Sequence, residues 1–180
     1  MKFIQSSIPD VVLIHPDVFQ DERGWFTESF NQEVFNQELL ALGLSQPVAF
    51  VQDNHSCSKK GVLRGLHYQR SPHAQGKLVR VVTGSIFDVA VDLREKSNSF
   101  GAHVTFELND INKHMLWIPE GFAHGFVALE DDTHVLYKTT DFYRKDCEVG
   151  VFWDDPWLKI AWPLRNQLLI GIKDQAAKIF

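Results

Sequence analysis

Two short stretches of this chain carry side chains that can move protons. Val62–Leu63–Arg64–Gly65–Leu66–His67–Tyr68–Gln69 and Gln75–Gly76–Lys77–Leu78–Val79–Arg80–Val81 set an imidazole, a guanidinium and an ammonium among apolar, strand-forming residues. Further on, Pro119–Glu120–Gly121–Phe122–Ala123–His124–Gly125–Phe126 places a second imidazole in a similar setting. Burying such groups is costly unless they pair or bind something. A β protein that needed only to fold has little use for them there. Imidazole takes up and releases a proton near neutrality with little tuning. Read together, the stretches describe the lining of a site that holds an anionic ligand and moves protons.

Each of these residues also has a plain reading. A histidine in an apolar strand is commonly a satisfied core residue, and a buried tyrosine such as Tyr137 or Tyr143 needs only a hydrogen-bond partner. Asp174, in Lys173–Asp174, reads as the cap of a short helix through Ala176–Ala177. Gln52–Asp53–Asn54–His55–Ser56 reads as a polar loop, and Arg23 and Glu28 as surface charges. Strict alternation puts Leu63, Gly65 and His67 on one face and Arg64 on the other. Either a bulge at Gly65 re-aims one of the two, since bulges favour glycine and occur near active sites, or Arg64 serves a neighbouring surface.

The elements that position these residues are mostly strands. In Ser85–Arg94, Phe87, Val89, Val91 and Leu93 share one face while Ile86, Asp88, Ala90 and Asp92 share the other. Lys77–Val82, His103–Leu108, Met115–Ile118, Gly125–Leu129 and His134–Thr139 are further strands, rich in β-branched and aromatic residues. Turn residues separate them at Thr83–Gly84–Ser85, Asn98–Gly101, Asn109–Asp110, Pro119–Gly121 and Asp131–Asp132. One helix is expected, capped by Asn31, with Val34, Phe35, Leu39 and Leu42 on one stripe and Gly43 ending it. Asp21–Glu22–Arg23–Gly24 reads as a turn followed by a strand, and the tail from Asp154 to Phe180 as an irregular wrap. Short strands at regular spacing suggest a β sandwich or jelly roll.

Composition narrows the function classes. A chain of 180 residues with 44% hydrophobic and 23% charged residues fits one soluble domain, 1–180. A net charge of −5, with only Lys59–Lys60 as a basic run, argues against nucleic acid or an anionic membrane as partner. No secretory leader and no membrane span is expected. Cys57 and Cys147 form no ligand or disulfide pattern, which points to the cytoplasm.

Pro119-x-Gly121-x-x-His124 resembles the second cupin motif. Metal-binding cupins supply His-x-His and then a Glu from the first motif, a set suited to iron, manganese or zinc. Here Gln69 stands where the second His would be, and Lys77 takes the carboxylate's place. An ammonium repels a dication and offers no lone pair, so no metal is expected.

Taken in order, Asp21–Gly24, Phe50–Ser56, Leu63–His67, Gln75–Arg80, Phe87–Asp92 and Trp117–Phe126 resemble the dTDP-4-dehydrorhamnose 3,5-epimerase family. The likeness runs from about Ile8 to Asp174, and Tyr68 departs from it where phenylalanine is common. It implies an all-β, cupin-type jelly roll with one or two short helices and N- and C-terminal extensions. It also implies a homodimer with exchanged N-terminal strands, no cofactor, and a dTDP-4-keto-6-deoxy-sugar substrate. By position, His67 is the proton acceptor, Asp174 its orienting carboxylate and Tyr137 the proton donor. Lys77 and Arg64 line the sugar and its developing oxyanion. Gln52, Asp53, Asn54, His124, Tyr143, Glu148 and Lys173 contact the sugar nucleotide, with Arg23 and Glu28 supplied by the partner. Asp88 on its strand rivals Asp174. A relative that epimerises a single centre, a metal-dependent cupin enzyme and a non-catalytic sugar-nucleotide binder are the alternatives.

Overall fold

The computed structural model describes residues 1–44 and 48–180. In chain order the first elements are β1 (Lys2–Gln5), β2 (Val12–His15), β3 (Phe19–Asp21), β4 (Gly24–Phe26), helix α1 (Gln32–Ala41), β5 (Gln52–Ser58) and β6 (Val62–Gln69). There follow β7 (Lys77–Thr83), β8 (Ser85–Asp92), β9 (His103–Asn109), β10 (Met115–Ile118), β11 (Phe122–Ala128) and β12 (Thr133–Thr139). The tail holds β13 (Glu148–Gly150), β14 (Leu169–Ile170) and helix α2 (Ile172–Gln175).

Two sheets form a sandwich. Sheet one has the order β1-β2-β10-β7-β12-β5 and sheet two the order β13-β6-β11-β8-β9, while β3 and β4 make a separate two-stranded ribbon. The alternation read in the sequence decides what each face does. Val79 and Val81 of sheet one meet Ile86, Ala90 and Phe126 of sheet two in the buried interior. The odd-numbered residues of β8, Val89 and Val91, face outward but stay dry beneath the tail's Leu158, Ile160 and Trp162. On the other outer face, α1 lays Phe35 and Leu39 over Val12, Leu78 and Trp117. Asn31 caps that helix, its side chain accepting from the backbone N–H groups of Glu33 and Val34.

Three expectations change. Gln52–Ser56 is not a loop but the start of β5, paired along its length with β12. Its polar alternation reflects an inward face that lines a cavity instead of joining the core. β11 begins at Phe122, three residues before the expected Gly125. Asp174 caps nothing: it lies inside α2, whose N-cap is Gly171.

Candidate active site

At one end of the sandwich the two sheets part around a cavity of about 390 Å³. Period-two alternation turns Gln52, Asn54 and Ser56 of β5, Lys77 of β7 and Tyr137 of β12 toward it from sheet one. Sheet two contributes Arg64 and His67 of β6 and His124 of β11. Tyr143, Glu148 of β13, and Lys173 and Asp174 of α2 close the remaining side.

Arg64 and His67 share the cavity only because β6 is irregular between them. His124 pairs with His67 but Phe126 pairs with Arg64, so two steps on β11 span three on β6. The irregularity sits at Gly65, with φ of +116°. A Cβ there would meet Gly125 Cα and the His124 carbonyl oxygen at 2.6 Å. Only glycine fits, and the bulge brings guanidinium and imidazole to one side.

The imidazole is held by a carboxylate. His67 Nε2 lies 2.6 Å from Asp174 Oδ1, and Asp174 Oδ2 accepts from the Gly65 N–H at 3.3 Å. A carboxylate accepts, so Nε2 carries the hydrogen, and in the neutral ring the lone pair is then on Nδ1. Burial pushes the Asp174 carboxyl up, but the bond and charge of His67, the Gly65 N–H and Lys173 outweigh it and hold it below the usual range. The rival carboxylate has its own partner: Asp88 Oδ2 is 2.8 Å from His124 Nε2. Of the two carboxylates, Asp174 is therefore the one bonded to His67.

Lys77 is buried, donating to the His67 carbonyl oxygen at 3.1 Å. Burial pulls its ammonium down to about 8, against the opposing pull of Asp88 and Glu148. Burial also pushes the Tyr137 phenol up, opposed by Arg64 and assisted by Glu148, so it keeps its proton at neutral pH. Glu148 accepts from Tyr143 Oη at 2.7 Å and pairs with Lys173. Gln52 Nε2 donates to Asn54 Oδ1 at 2.9 Å, and Arg64 Nε to Ser58 Oγ at 3.0 Å.

Three expected residues lie elsewhere in this chain. Asp53 points to the opposite face of β5 and pairs with Lys138 at 3.0 Å, because its neighbours Gln52 and Asn54 face inward. Arg23 sits at the tip of the ribbon, bonded to Asp21, and Glu28 follows the ribbon. Neither lines the cavity. Conversely, Ser56, Gln75 and Phe126 line it and were not singled out in the sequence. Ser56 shares the face of Gln52 and Asn54, a signal lost when the segment is read as a loop. Gln69 anchors a loop, with Nε2 donating to the His73 and Phe142 carbonyls and Oε1 accepting from the Arg144 N–H. Among the described residues no three His, Cys, Asp or Glu side chains are grouped to hold a metal ion. No described helix is long and apolar enough to cross a membrane.

A family model described as dTDP-4-dehydrorhamnose 3,5-epimerase matches residues 5–180. A dTDP-4-dehydrorhamnose 3,5-epimerase of Shigella flexneri is 55% identical, over 94% of this chain and 91% of that one. The crystal structure of a dTDP-6-deoxy-D-glucose-3,5-epimerase from Legionella pneumophila, in complex with dTDP-4-keto-L-rhamnose, superposes with a TM-score of 0.92. It is 46% identical, with 99% of this chain and 92% of that chain covered. A 3'-monoepimerase from Streptomyces bikiniensis in complex with dTDP-quinovose shares the fold at a TM-score of 0.89, 30% identical over 97% of this chain and 86% of that one.

Proposed function

The chain belongs to the dTDP-4-dehydrorhamnose 3,5-epimerase family, and from that premise we propose how its cavity works. The reaction is the epimerisation of dTDP-4-dehydro-6-deoxy-D-glucose at C3 and C5, giving dTDP-4-dehydro-L-rhamnose. Both carbons flank the C4 ketone, which acidifies their C–H bonds. Each inversion removes a proton from one face and returns one to the other, through an enolate.

His67 Nδ1 takes the proton, and the electron pair of the broken C–H bond moves onto the ketone oxygen. Asp174 stabilises the imidazolium that forms. The buried Lys77 ammonium faces the enolate oxygen, where preorganised charge is often the largest catalytic contribution. Tyr137 then donates its phenolic proton to carbon, from the other side of the ring. The imidazolium and phenolate exchange protons with solvent to reset the pair. The ketone is itself the electron sink, so these steps call on no cofactor.

The observation that carries the reading is the placement of base and acid. His67 and Tyr137 line one cavity from opposite sheets, as a reaction that works on two faces of a sugar requires. Arg64, Lys173, Gln52, Asn54 and His124 are the groups that hold the sugar nucleotide, with Tyr143 and Glu148 at the mouth. Arg23 and Glu28 reach the cavity of a partner, through exchange of the N-terminal ribbon in a homodimer. Phe19, Trp25 and Phe26 of that ribbon are more than half exposed in the single chain, which supports a second copy covering them. Cys57 and Cys147 are unpaired thiols, in keeping with a cytoplasmic enzyme.

The test is solvent isotope incorporation. With substrate in deuterated water, NMR shows deuterium at both C3 and C5. Label at C3 alone would assign a single-centre epimerase, as in the more distant Streptomyces relative, and label at neither would remove the enzymatic reading.

A further inference from the structure

Asp174, the carboxylate that holds the base, comes from an unusual place. Asp88 sits in mid-strand, fixed by ladder bonds on both sides, but Asp174 rides on a four-residue helix without a side-chain N-cap. A helix of one turn does not hold itself together in water. Something outside α2 must keep this carboxylate 2.6 Å from His67.

The segment is tied at both ends. Upstream, β14 runs parallel to β6, with Leu169 opposite Val62 and Ile170 opposite Leu63. Downstream, the Lys178 carbonyl accepts from the Phe152 N–H at 2.8 Å, and Val151 bridges Lys178. Two residues later the Phe180 N–H donates to Asp155 Oδ2 at 2.7 Å. Asp155 is 2% exposed, and its other oxygen accepts from the Trp157 and Leu158 N–H groups. The Phe180 ring stacks on Trp157 at 5.0 Å and packs against Phe100 at 5.2 Å. Between the ties, Ala177 lies over Gly150, which pairs with His67 itself. A Cβ added at Gly150 would come within 3.3 Å of Ala177 Cβ and 3.8 Å of His67 Cδ2, so tail and imidazole pack against one backbone.

We propose that residues 177–180 form a clasp, closed by Asp155 and Phe180, that positions Asp174 against His67. Asp155 and Phe180 are thus positioning residues for proton abstraction, though neither lines the cavity. The proposal rests on His67–Asp174 being the proton-accepting pair. It deepens that reading by locating what sets the pair's geometry. Misplacing a catalytic group by about 1 Å can cost on the order of 10²-fold in rate, so a loose clasp registers mainly in turnover: the groups from β5, β6 and β11 are untouched, and only Lys173, on the same short helix, shifts with Asp174.

The experiment compares kcat and KM for the parent, Phe180→Ala, Phe180→Trp, Asp174→Asn and the double variant Phe180→Ala/Asp174→Asn. Phe180→Ala is expected to lower kcat roughly 10-fold or more with a much smaller rise in KM, from Lys173 alone, and Phe180→Trp, which keeps a stacking ring on Trp157, to restore it. In the Asp174→Asn background Phe180→Ala is expected to cost little further, because the carboxylate charge that the clasp positions is already gone. Asp155→Asn is a second route to the same opening. A slow Asp174→Asn enzyme beside a parental Phe180→Ala enzyme would overturn the clasp alone. So would a full additional loss in the double variant, which would mark a general weakening of the fold. An Asp174→Asn enzyme at the parental rate would remove the base assignment and the clasp together.

Discussion

Two histidine–carboxylate pairs stand side by side in sheet two, and they are assembled by opposite means. His67 and His124 are cross-strand neighbours on β6 and β11. Each presents Nε2 to a carboxylate, at 2.6 Å to Asp174 and 2.8 Å to Asp88. Asp88 belongs to the strand next to β11, opposite Phe126 in the ladder, and is 0% exposed. It is as fixed as the core. Asp174 arrives from more than a hundred residues downstream on a tail. The His124–Asp88 pair is part of the sandwich. The His67–Asp174 pair is completed only when the tail has docked, which makes it the more adjustable of the two.

That contrast can be broken at its strongest point first. His67→Ala removes the group proposed to accept the proton from both carbons. Deuterium incorporation is expected to vanish at C3 and C5 alike, a loss on the order of 10²–10⁴-fold, with dTDP affinity nearly unchanged by calorimetry. Exchange at the parental rate would show that another group, His124 first among them, is the base. Asp174→Asn follows at about 10²-fold in kcat, since the ring keeps its place but loses its fixed tautomer and the charge that stabilises the imidazolium.

The same contrast explains what could be read in advance. Asp88 was placed on the Ile86–Ala90 face by alternation alone, and that face is the interior of the sandwich. The cap and stripe of α1, and most strands from β7 to β12, follow from local chemistry in the same way. The bulge at Gly65 was also legible, because alternation fails to bring Arg64 and His67 together without it. The polar start of β5 was not, since a strand whose inner face lines a wet cavity lacks the apolar beat that marks strands. β1, β2, β13 and β14 are too short or too mixed to announce themselves. Nothing local in Lys173–Asp174 distinguishes a helix cap from a dyad carboxylate; only the docked tail does, and docking depends on residues far away in sequence. Asp53 shows the converse case: the resemblance groups it with Gln52 and Asn54, but a strand turns alternate residues to opposite faces.

Lys77 sharpens the comparison through pH. It is buried, bonded to the His67 carbonyl oxygen and within reach of the Asp88 charge, with its ammonium pulled down to about 8 from 10.5. In the proposed mechanism the charged form stabilises the enolate, so kcat is expected to fall as pH rises through about 8. The fall is not unfolding. A lysine whose folded pKa is depressed weighs against folding below that value, and the penalty is relieved as pH climbs from about 8 toward 10.5. Lys77→Arg, with a guanidinium that stays charged, should flatten the alkaline limb even if its absolute rate is lower. A limb that stays where it was would assign the ionisation to another group, with Tyr137 the next candidate.

Asp88→Asn makes the smallest change and asks the most of the distinction between the pairs. It is the same chemical substitution as Asp174→Asn, one strand away. Asn can still offer its carbonyl oxygen to His124 Nε2, so the second imidazole keeps its seat. Asp88 Oδ1 has no hydrogen-bond partner to lose. What disappears is a negative charge that helps keep Lys77 protonated. The expected outcome at neutral pH is a loss of only a few-fold in kcat, about 1 kcal/mol or less of transition-state stabilisation. The loss should widen as pH rises, because the alkaline limb moves to lower pH without its counter-charge. The check is a pair of pH–rate profiles, for Asp88→Asn and for Asp174→Asn, on the same substrate. Parallel profiles with equally deep losses would mean that His124–Asp88 takes part in proton transfer as fully as His67–Asp174, and that a carboxylate's place in the fold says nothing about its part in the chemistry.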